Sequence, residues 1–265
     1  MNIIYTQHKQ PNNNNKVYYL KFIYLFIVYT VHFFFLSGSV IFAQEVDINP
    51  NGHNIFYFPN GHISSEGILK NGRPTGYWKT YYDNGQLKSE GNRKNFLLDS
   101  IWKFYNNKGG LLDEINYKKN KKEGLSKLFD ENGCIKMESN YIGNVKLGEE
   151  KVYFTSGKIK NNNNYKQDKK HGFCYVYDTV GRIITINEYT GGFLRSEEQI
   201  NRFDDDDEKN GIWKEFYENG KVKWEGDFKH GILDGIVREY NKKGGLKTMK
   251  MFIDGELNEN AKEVE

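Results

Sequence analysis

The stretch from Gly76 to Asp99 reads GYWKTYYDNGQLKSEGNRKNFLLD, and its pattern returns along most of the chain. It reappears as IWKFYNNKGGLLDE from Ile101 and as GIWKEFYENGKVKWEG from Gly211. One glycine of the pattern recurs in every unit, as Gly61, Gly85, Gly109, Gly133, Gly157, Gly181, Gly220 and Gly244. The steps between these glycines are 24 residues, except one of 39 that contains a 15-residue insertion. Self-similarity at a fixed period identifies a repeat protein.

The repeats divide the chain into domains. Eight units are predicted, starting at residues 52, 76, 100, 124, 148, 172, 211 and 235, with the insertion at about 191–210. They define a repeat domain over residues 44–258, followed by a C-terminal tail at 259–265. The apolar fraction is only 37%, while Tyr and Phe number 19 and 18 and Gly 27. This composition favours a thin layer of strands and tight turns over a thick core.

The N-terminal segment differs from the rest in charge and hydropathy. Residues 1–43 hold three of the 38 basic side chains and none of the 35 acidic ones, so the remainder is neutral. Residues 22–43 are nearly all apolar, which predicts a signal peptide cleaved after Ala43. The run is also long enough for an uncleaved anchor that would contact a membrane. Both alternatives predict export to the periplasm, the cell surface or the medium. The neutral repeat body argues against nucleic acid as a partner.

Within a unit, positions are counted from 0 at its first residue. Position 5 is always aromatic, in Tyr57, Tyr81, Tyr105, Phe129, Tyr153, Tyr177, Phe216 and Tyr240. Position 11 is always aliphatic, in Ile63, Leu87, Leu111, Ile135, Ile159, Ile183, Val222 and Leu246. Position 2 is tryptophan in Trp78, Trp102 and Trp213, and position 17 is aromatic in six units. The alternation predicts strands, and no window shows a helical period.

The turn and the strand register follow from the same columns. Position 9 is always Gly, and Asn precedes it in four units, as Asn60, Asn84, Asn132 and Asn219. This Asn-Gly signal predicts a type I′ hairpin turn in each unit, followed by a loop to the next unit. A two-residue turn pairs Lys79 with Glu90 and places Trp78 over Gly91, and likewise Trp213 over Gly226. A three-residue turn with a bulge stays open as the alternative. This register puts positions 2, 11 and 17 on one face and the position 5 aromatics with Lys and Glu on the other.

The pattern G-x-W-x-x-Y-x-x-N-G-x-L-x-x-E-x-x-Y resembles the MORN repeat variant found in bacterial proteins labelled YwqK-family antitoxins. The resemblance covers about residues 52–258. It implies an all-β, extended and twisted antiparallel sheet of tandem hairpins, and a role in binding rather than catalysis. An exported chain departs from what neutralisation of a toxin inside the cell requires.

Departures from the pattern indicate no chemistry. The acidic run from Asp204 to Glu208 lacks the alternating ligands of a calcium loop, so a solvated loop without metal is predicted. Cys134 and Cys174 fall three strands apart, too far for a disulfide, so two free thiols are predicted. The four histidines of the repeat body lack metal-ligand spacing. No nucleophile, base and orienting group occur together, so neither an enzyme nor a cofactor is expected.

The aromatic column supplies the functional hypothesis. Tyrosine is amphipathic and enriched at interfaces, which makes the position 5 ladder a candidate binding surface, formed by Tyr57, Tyr81, Tyr105, Tyr153, Tyr177 and Tyr240. The leading expectation is an exported, non-enzymatic scaffold for a protein or an envelope component. The alternatives are an antitoxin-like neutraliser of a partner enzyme and a phospholipid-binding protein. A purely structural role of the ladder also stays open.

Overall fold

The computed structural model describes residues 48–258, which form antiparallel sheet with no helix. The first sheet contains β1 (His53–Tyr57), β2 (Ile63–Lys70), β3 (Arg73–Tyr81), β4 (Leu87–Lys94), β5 (Leu97–Tyr105), β6 (Leu111–Lys118), β7 (Lys121–Phe129), β8 (Ile135–Ile142), β9 (Val145–Tyr153), β10 (Ile159–Lys166), β11 (Lys169–Lys170), β12 (Gly172–Tyr177), β13 (Ile183–Thr190) and β14 (Phe193–Gln199). The second contains β15 (Arg202–Phe203), β16 (Lys209–Phe216), β17 (Val222–Lys229), β18 (Ile232–Leu233), β19 (Gly235–Tyr240), β20 (Leu246–Ile253) and β21 (Glu256–Leu257). Strands pair with their sequence neighbours, which confirms the predicted all-β meander of hairpins.

Two predictions fall outside this range. The signal peptide or anchor at residues 1–43 and the tail at 259–265 lie beyond the described residues. Between residues 48 and 258, no helix has the length and apolar character needed to cross a bilayer.

The turn inside each unit is not of type I′. In unit two, Tyr82 N–H donates to Gln86 O at 2.8 Å and Gly85 N–H to Tyr82 O at 2.9 Å. The three residues between Tyr82 and Gln86 form the turn, and among them only Gly85 has a positive φ, of 84°. This geometry is a three-residue turn that ends in a glycine bulge. The asparagine serves another purpose, because Asn84 Oδ1 accepts Gln86 N–H at 3.0 Å.

The type I′ turns lie between the units, where the sequence predicted loops. Asn71 and Gly72 have φ values of 51° and 69°, and they join Lys70 to its strand partner Arg73. The same two-residue geometry recurs at Asn95–Phe96, Lys119–Asn120, Gly143–Asn144, Gln167–Asp168, Gly191–Gly192, His230–Gly231 and Asp254–Gly255. Most of these pairs lack the Asn-Gly signature, so sequence alone did not identify them. The chain therefore turns as tightly between units as within them.

The predicted register is correct despite the wrong turn. Lys79 pairs with Glu90, and the equivalent pairs are Lys103–Glu114, Lys127–Glu138 and Lys214–Glu225. The three-residue turn shifts the first pair to Tyr81–Leu87, and Lys88 then forms a bulge that shifts the register back. Paired residues share a sheet face, so Leu87 lies beside Tyr81. The prediction that position 11 shares the face of position 2 was therefore wrong.

The two faces of the sheet carry different columns of the repeat. The Tyr–Glu face carries positions 1, 3, 5, 11 and 14, represented by Tyr77, Lys79, Tyr81, Leu87 and Glu90. The Trp face carries positions 2, 4, 15 and 17, represented by Trp102, Phe104, Ile115 and Tyr117. On the Trp face, the buried side chains of Leu69, Trp78 and Trp102 form a thin core.

Each indole of this core covers a glycine of the preceding unit. A Cβ on Gly67 would meet the Trp78 ring at 2.5 Å, and one on Gly91 would meet the Trp102 ring at 2.5 Å. The prediction placed Trp78 over Gly91 of its own hairpin. Those two residues are paired, but the ring leans toward the other neighbour, which makes tryptophan a contact between units.

The pairing of Trp213 with Gly226 is also confirmed, although a Cβ on Gly226 would meet Trp224 and Leu233 instead. Trp213 itself packs edge-on against Phe203 of the insertion, with ring centroids 5.0 Å apart. The indole that follows the insertion therefore has different neighbours from Trp78 and Trp102.

The insertion adds β14 and β15 between units six and seven. β14 pairs with β13, and the chain then passes through Ile200, which is fully buried, and Asn201. The Asn201 amide donates to Ile183 O at 2.8 Å and to Lys214 O at 3.1 Å. Its Oδ1 accepts Lys214 N–H at 2.7 Å. One asparagine side chain thus joins the two sheets where a backbone ladder would otherwise run.

Candidate interaction face

The predicted tyrosine ladder lies on the Tyr–Glu face and bonds one unit to the next. Four of the six hydroxyls donate to the position 14 glutamate of the preceding unit at 2.6–2.8 Å, in the pairs Tyr81–Glu66, Tyr105–Glu90, Tyr153–Glu138 and Tyr240–Glu225. Burial, then the hydrogen bond and the charge of Glu66, raise the pKa of Tyr81 to about 12. The same causes, with Glu138, raise the pKa of Tyr153 to about 12. These hydroxyls therefore have a structural role.

The other two tyrosines of the ladder lack that bond. Tyr57 is in the first unit, so it has no position 14 glutamate of a preceding unit, and 57% of its surface is exposed. Tyr177 follows unit five, where Asn162 replaces the glutamate. Binding by the six ladder residues stays a prediction, with Tyr57 the most accessible of them.

A second column of the Tyr–Glu face was missed by the sequence reasoning. Position 1 carries exposed apolar side chains in six units, namely Tyr77, Ile101, Leu125, Phe173, Ile212 and Ile236, with exposures of 38–53%. Strands of successive units are two strand spacings apart, so members in adjoining units are about 10 Å apart, and Glu149 interrupts the column in unit five. The signal was available, because an apolar residue beside the buried tryptophan breaks the alternation. We call this column the position 1 stripe.

The acidic insertion loop is ordered by its own carboxylate. Asp204 Oδ1 accepts N–H groups of Asp206 and Glu208, and its Oδ2 lies 2.9 Å from His230 Nδ1. The bond from Glu208 N–H and the other donors lower the pKa of Asp204. Asp204, Glu208 and His230 bring potential metal-binding atoms within 4.8 Å of one another. The sequence missed this proximity because His230 comes from a different turn, and the expected absence of metal stays a prediction.

The remaining predicted groups are apart from any such cluster. Cys134 is exposed and Cys174 is buried, and both are free thiols, as predicted. His53 lies 3.9 Å from Glu66, and His62 Nδ1 contacts Asp83 O at 2.5 Å. No further group of three metal-binding side chains occurs in the described residues.

Repeated hairpins that pair in sequence order define a repeat scaffold. The MORN repeat variant model matches five segments, residues 50–71, 74–95, 122–142, 146–167 and 209–230. All five share the phase of the 24-residue period, because each begins two residues before a unit. The chain is therefore a MORN-repeat protein. No curated protein matches it.

Proposed function

We propose that this scaffold is exported, is not an enzyme, and binds a protein or an envelope component through its Tyr–Glu face. The position 1 stripe is the observation that supports the proposal. Apolar side chains that recur at one exposed position of six units, four on the first sheet and two on the second, are unusual for a surface that contacts only water. The tyrosine ladder and the Lys–Glu pairs flank the stripe with polar groups, as the rim of an interface does.

Charge narrows the class of partner. The Lys and Glu columns of this face are paired with each other, as in Lys127–Glu138 at 3.9 Å. The face therefore presents no excess of positive charge for an anionic lipid surface or a nucleic acid. Neutral, alternating polarity around apolar side chains suits a protein surface better.

Capture from the native envelope tests the proposal. The full-length chain would be crosslinked in cells, and bound proteins identified by mass spectrometry. Ile101→Glu combined with Leu125→Glu would place two charges in the stripe, and we expect at least a tenfold loss of the partner, because a buried unpaired charge costs more than about 1.4 kcal/mol.

Val180→Glu is the matched control, because Val180 is 62% exposed in the turn between β12 and β13 and is not part of the stripe. Its capture should equal that of the wild type. Equal capture by the stripe variant would overturn the proposed face, and failure of the wild type to capture any component would overturn the function itself.

A further inference from the structure

The Tyr–Glu face is most altered where the insertion meets unit six. Tyr175 and Ile186 occupy the positions that hold Lys and Glu in other units, and they remain paired across their hairpin. A charged pair is thereby replaced by an apolar one. Lys214 of unit seven, which would have faced a glutamate here, takes Glu198 of the insertion at 2.8 Å instead.

An open groove of about 440 Å³ lies at this place on the Tyr–Glu face. Its walls are mainly apolar, with Phe173, Ile186, Phe216 and Val222 among the lining side chains and Glu198 at one side. Burial alone would lower the pKa of Lys214, but its hydrogen bonds to Glu198 and Glu225 raise it. The Lys214 ammonium is therefore paired with two carboxylates inside the groove. The apolar wall remains available for contact with an occupant.

The same inserted strand carries an apolar knob at its other end. Phe193, the first residue of β14, is 71% exposed, more than any other large apolar side chain in the described residues. It pairs with Thr190, whereas Glu198 pairs with Ile186. Thr190 and Ile186 are four residues apart on β13 and so share a face. Phe193 therefore projects from the face that holds the groove.

Knob and groove are separated along one strand. The five steps along β14 from Phe193 to Glu198 span about 16 Å, and Phe193 does not line the groove of its own chain. A two-fold axis parallel to the face, running across β14 above Ser196 at mid-strand, would bring each knob over the groove of a second copy. Such an isologous contact needs knob and groove on the same face, which the pairing of β14 provides.

We propose that two copies of this chain associate in this way, with Phe193 of each copy in the groove of the other. The neutral repeat body favours self-association, because two copies do not repel each other. The insertion supplies the knob and one residue of the groove, Glu198, which distinguishes it from the regular units. The groove shares Phe173 with the position 1 stripe, but the test of self-association below does not depend on the partner proposed above.

Photocrosslinking from Phe193 tests the contact in the full-length chain. With benzoylphenylalanine in place of Phe193, irradiation should give a covalent species of twice the 31.1 kDa chain mass. In a mixture of ¹⁴N- and ¹⁵N-labelled protein, peptides containing residue 193 should be joined to groove peptides of the other isotope. The same probe in place of Leu194, whose partner Tyr189 lies on the Trp face, should give no such species.

A second variant tests the groove. Val222→Glu should reduce the crosslink at least tenfold, which corresponds to about 1.4 kcal/mol, and Val180→Glu should leave it unchanged. Crosslinks within one chain only, or to another protein only, would overturn the proposal. An undiminished crosslink in the Val222→Glu variant would overturn the assigned groove.

Discussion

Units three and five have the same backbone but different contacts on the Trp face. In unit three, Trp102 is 2% exposed, covers Gly91 and donates its indole N–H to Asn92 O at 2.8 Å. The Arg93 guanidinium stacks over the ring at 5.2 Å from its centroid. The unit is held to its neighbour mainly by burial of one large ring.

In unit five, Glu150 takes the position of the tryptophan and is 5% exposed. It accepts hydrogen bonds from Ser139 Oγ at 3.1 Å, from Asn163 Nδ2 at 3.2 Å and from Lys146 Nζ. The Lys146 ammonium also lies 4.7 Å from the centre of the Tyr165 ring. A closed polar network replaces the indole.

The residue facing position 2 changes with it. Gly91, at position 15 of unit two, lies under Trp102 of unit three. Ser139, at position 15 of unit four, lies against Glu150 of unit five. The indole needs a partner without a side chain, and the carboxylate needs a donor. The contact between units therefore depends on a matched pair of side chains at positions 2 and 15. The same strand register accommodates either an apolar pair or a polar pair.

The largest loss of stability should come from removing the apolar contact of Trp102 with Gly91. Trp102→Ala removes a buried ring above a glycine that cannot fill the space, so we expect a loss of about 4 kcal/mol in the free energy of unfolding. Urea denaturation followed by far-UV circular dichroism would measure it. Trp213→Ala is the control, because Trp213 is only partly buried and its removal should cost less. Equal losses would contradict the view that Trp102 forms the core.

An intermediate effect is expected in the polar unit. Glu150→Ala leaves three donors without their acceptor, but Lys146 remains 18% exposed and can reach water. The loss should therefore be about 2 kcal/mol, below the value for a fully buried pair. Glu150→Trp should fold poorly against Ser139, and adding Ser139→Gly should restore stability. If the double variant were no better than Glu150→Trp, the matched-pair interpretation would be wrong.

The polar unit should also show acid sensitivity. Burial alone would raise the pKa of Glu150, but the bonds from Lys146, Ser139 and Asn163 lower it below its ordinary value of 4.5. A lowered folded-state pKa stabilises the protein above pH 4.5, and this contribution is lost as the pH falls through the folded-state pKa. The stability difference between wild type and Glu150→Gln should shrink in that window.

The smallest effect should come from the tyrosine ladder. Tyr81→Phe removes one hydrogen bond to Glu66 on a partly exposed face, so about 1 kcal/mol is expected. The raised pKa of Tyr81, about 12, means that its contribution is complete below pH 10.0 and is lost as the pH rises through about 12. Tyr57→Phe is the control, because Tyr57 lacks a glutamate in a preceding unit. Equal stability of Tyr81→Phe and wild type at pH 7 would contradict a structural role for the ladder.

Much of the fold could be predicted because the period repeats the pairing clues in several units. Lys79 and Glu90 gave the register, since opposite charges in matching columns are informative even when one pair alone is weak. The turn types were harder. Asn84 was interpreted as a type I′ residue, but its side chain satisfies the turn backbone, and Asn95–Phe96 adopts the left-handed region without the usual residues.

The candidate site was predicted only in part. The tyrosine column was found from the sequence, whereas its bonds to the glutamates of preceding units depend on how far neighbouring strands are offset. The position 1 stripe was not predicted, although its apolar residues break the alternation beside the tryptophan column. The knob at Phe193 and its groove required the path of the insertion, which has no copy elsewhere in the chain to compare with.

The sequence from Gly76 to Asp99, with its seven relatives, determined the all-β repeat, its period and its strand register, because local pairing is repeated at every step. The tertiary structure decided which face each column occupies and which neighbour each side chain meets. The physical reason is the bulge at Lys88, where one extra residue moves Leu87 to the other face. No residue type at this position predicts the bulge. Contacts between units arise from that offset, and therefore so does the surface available for binding.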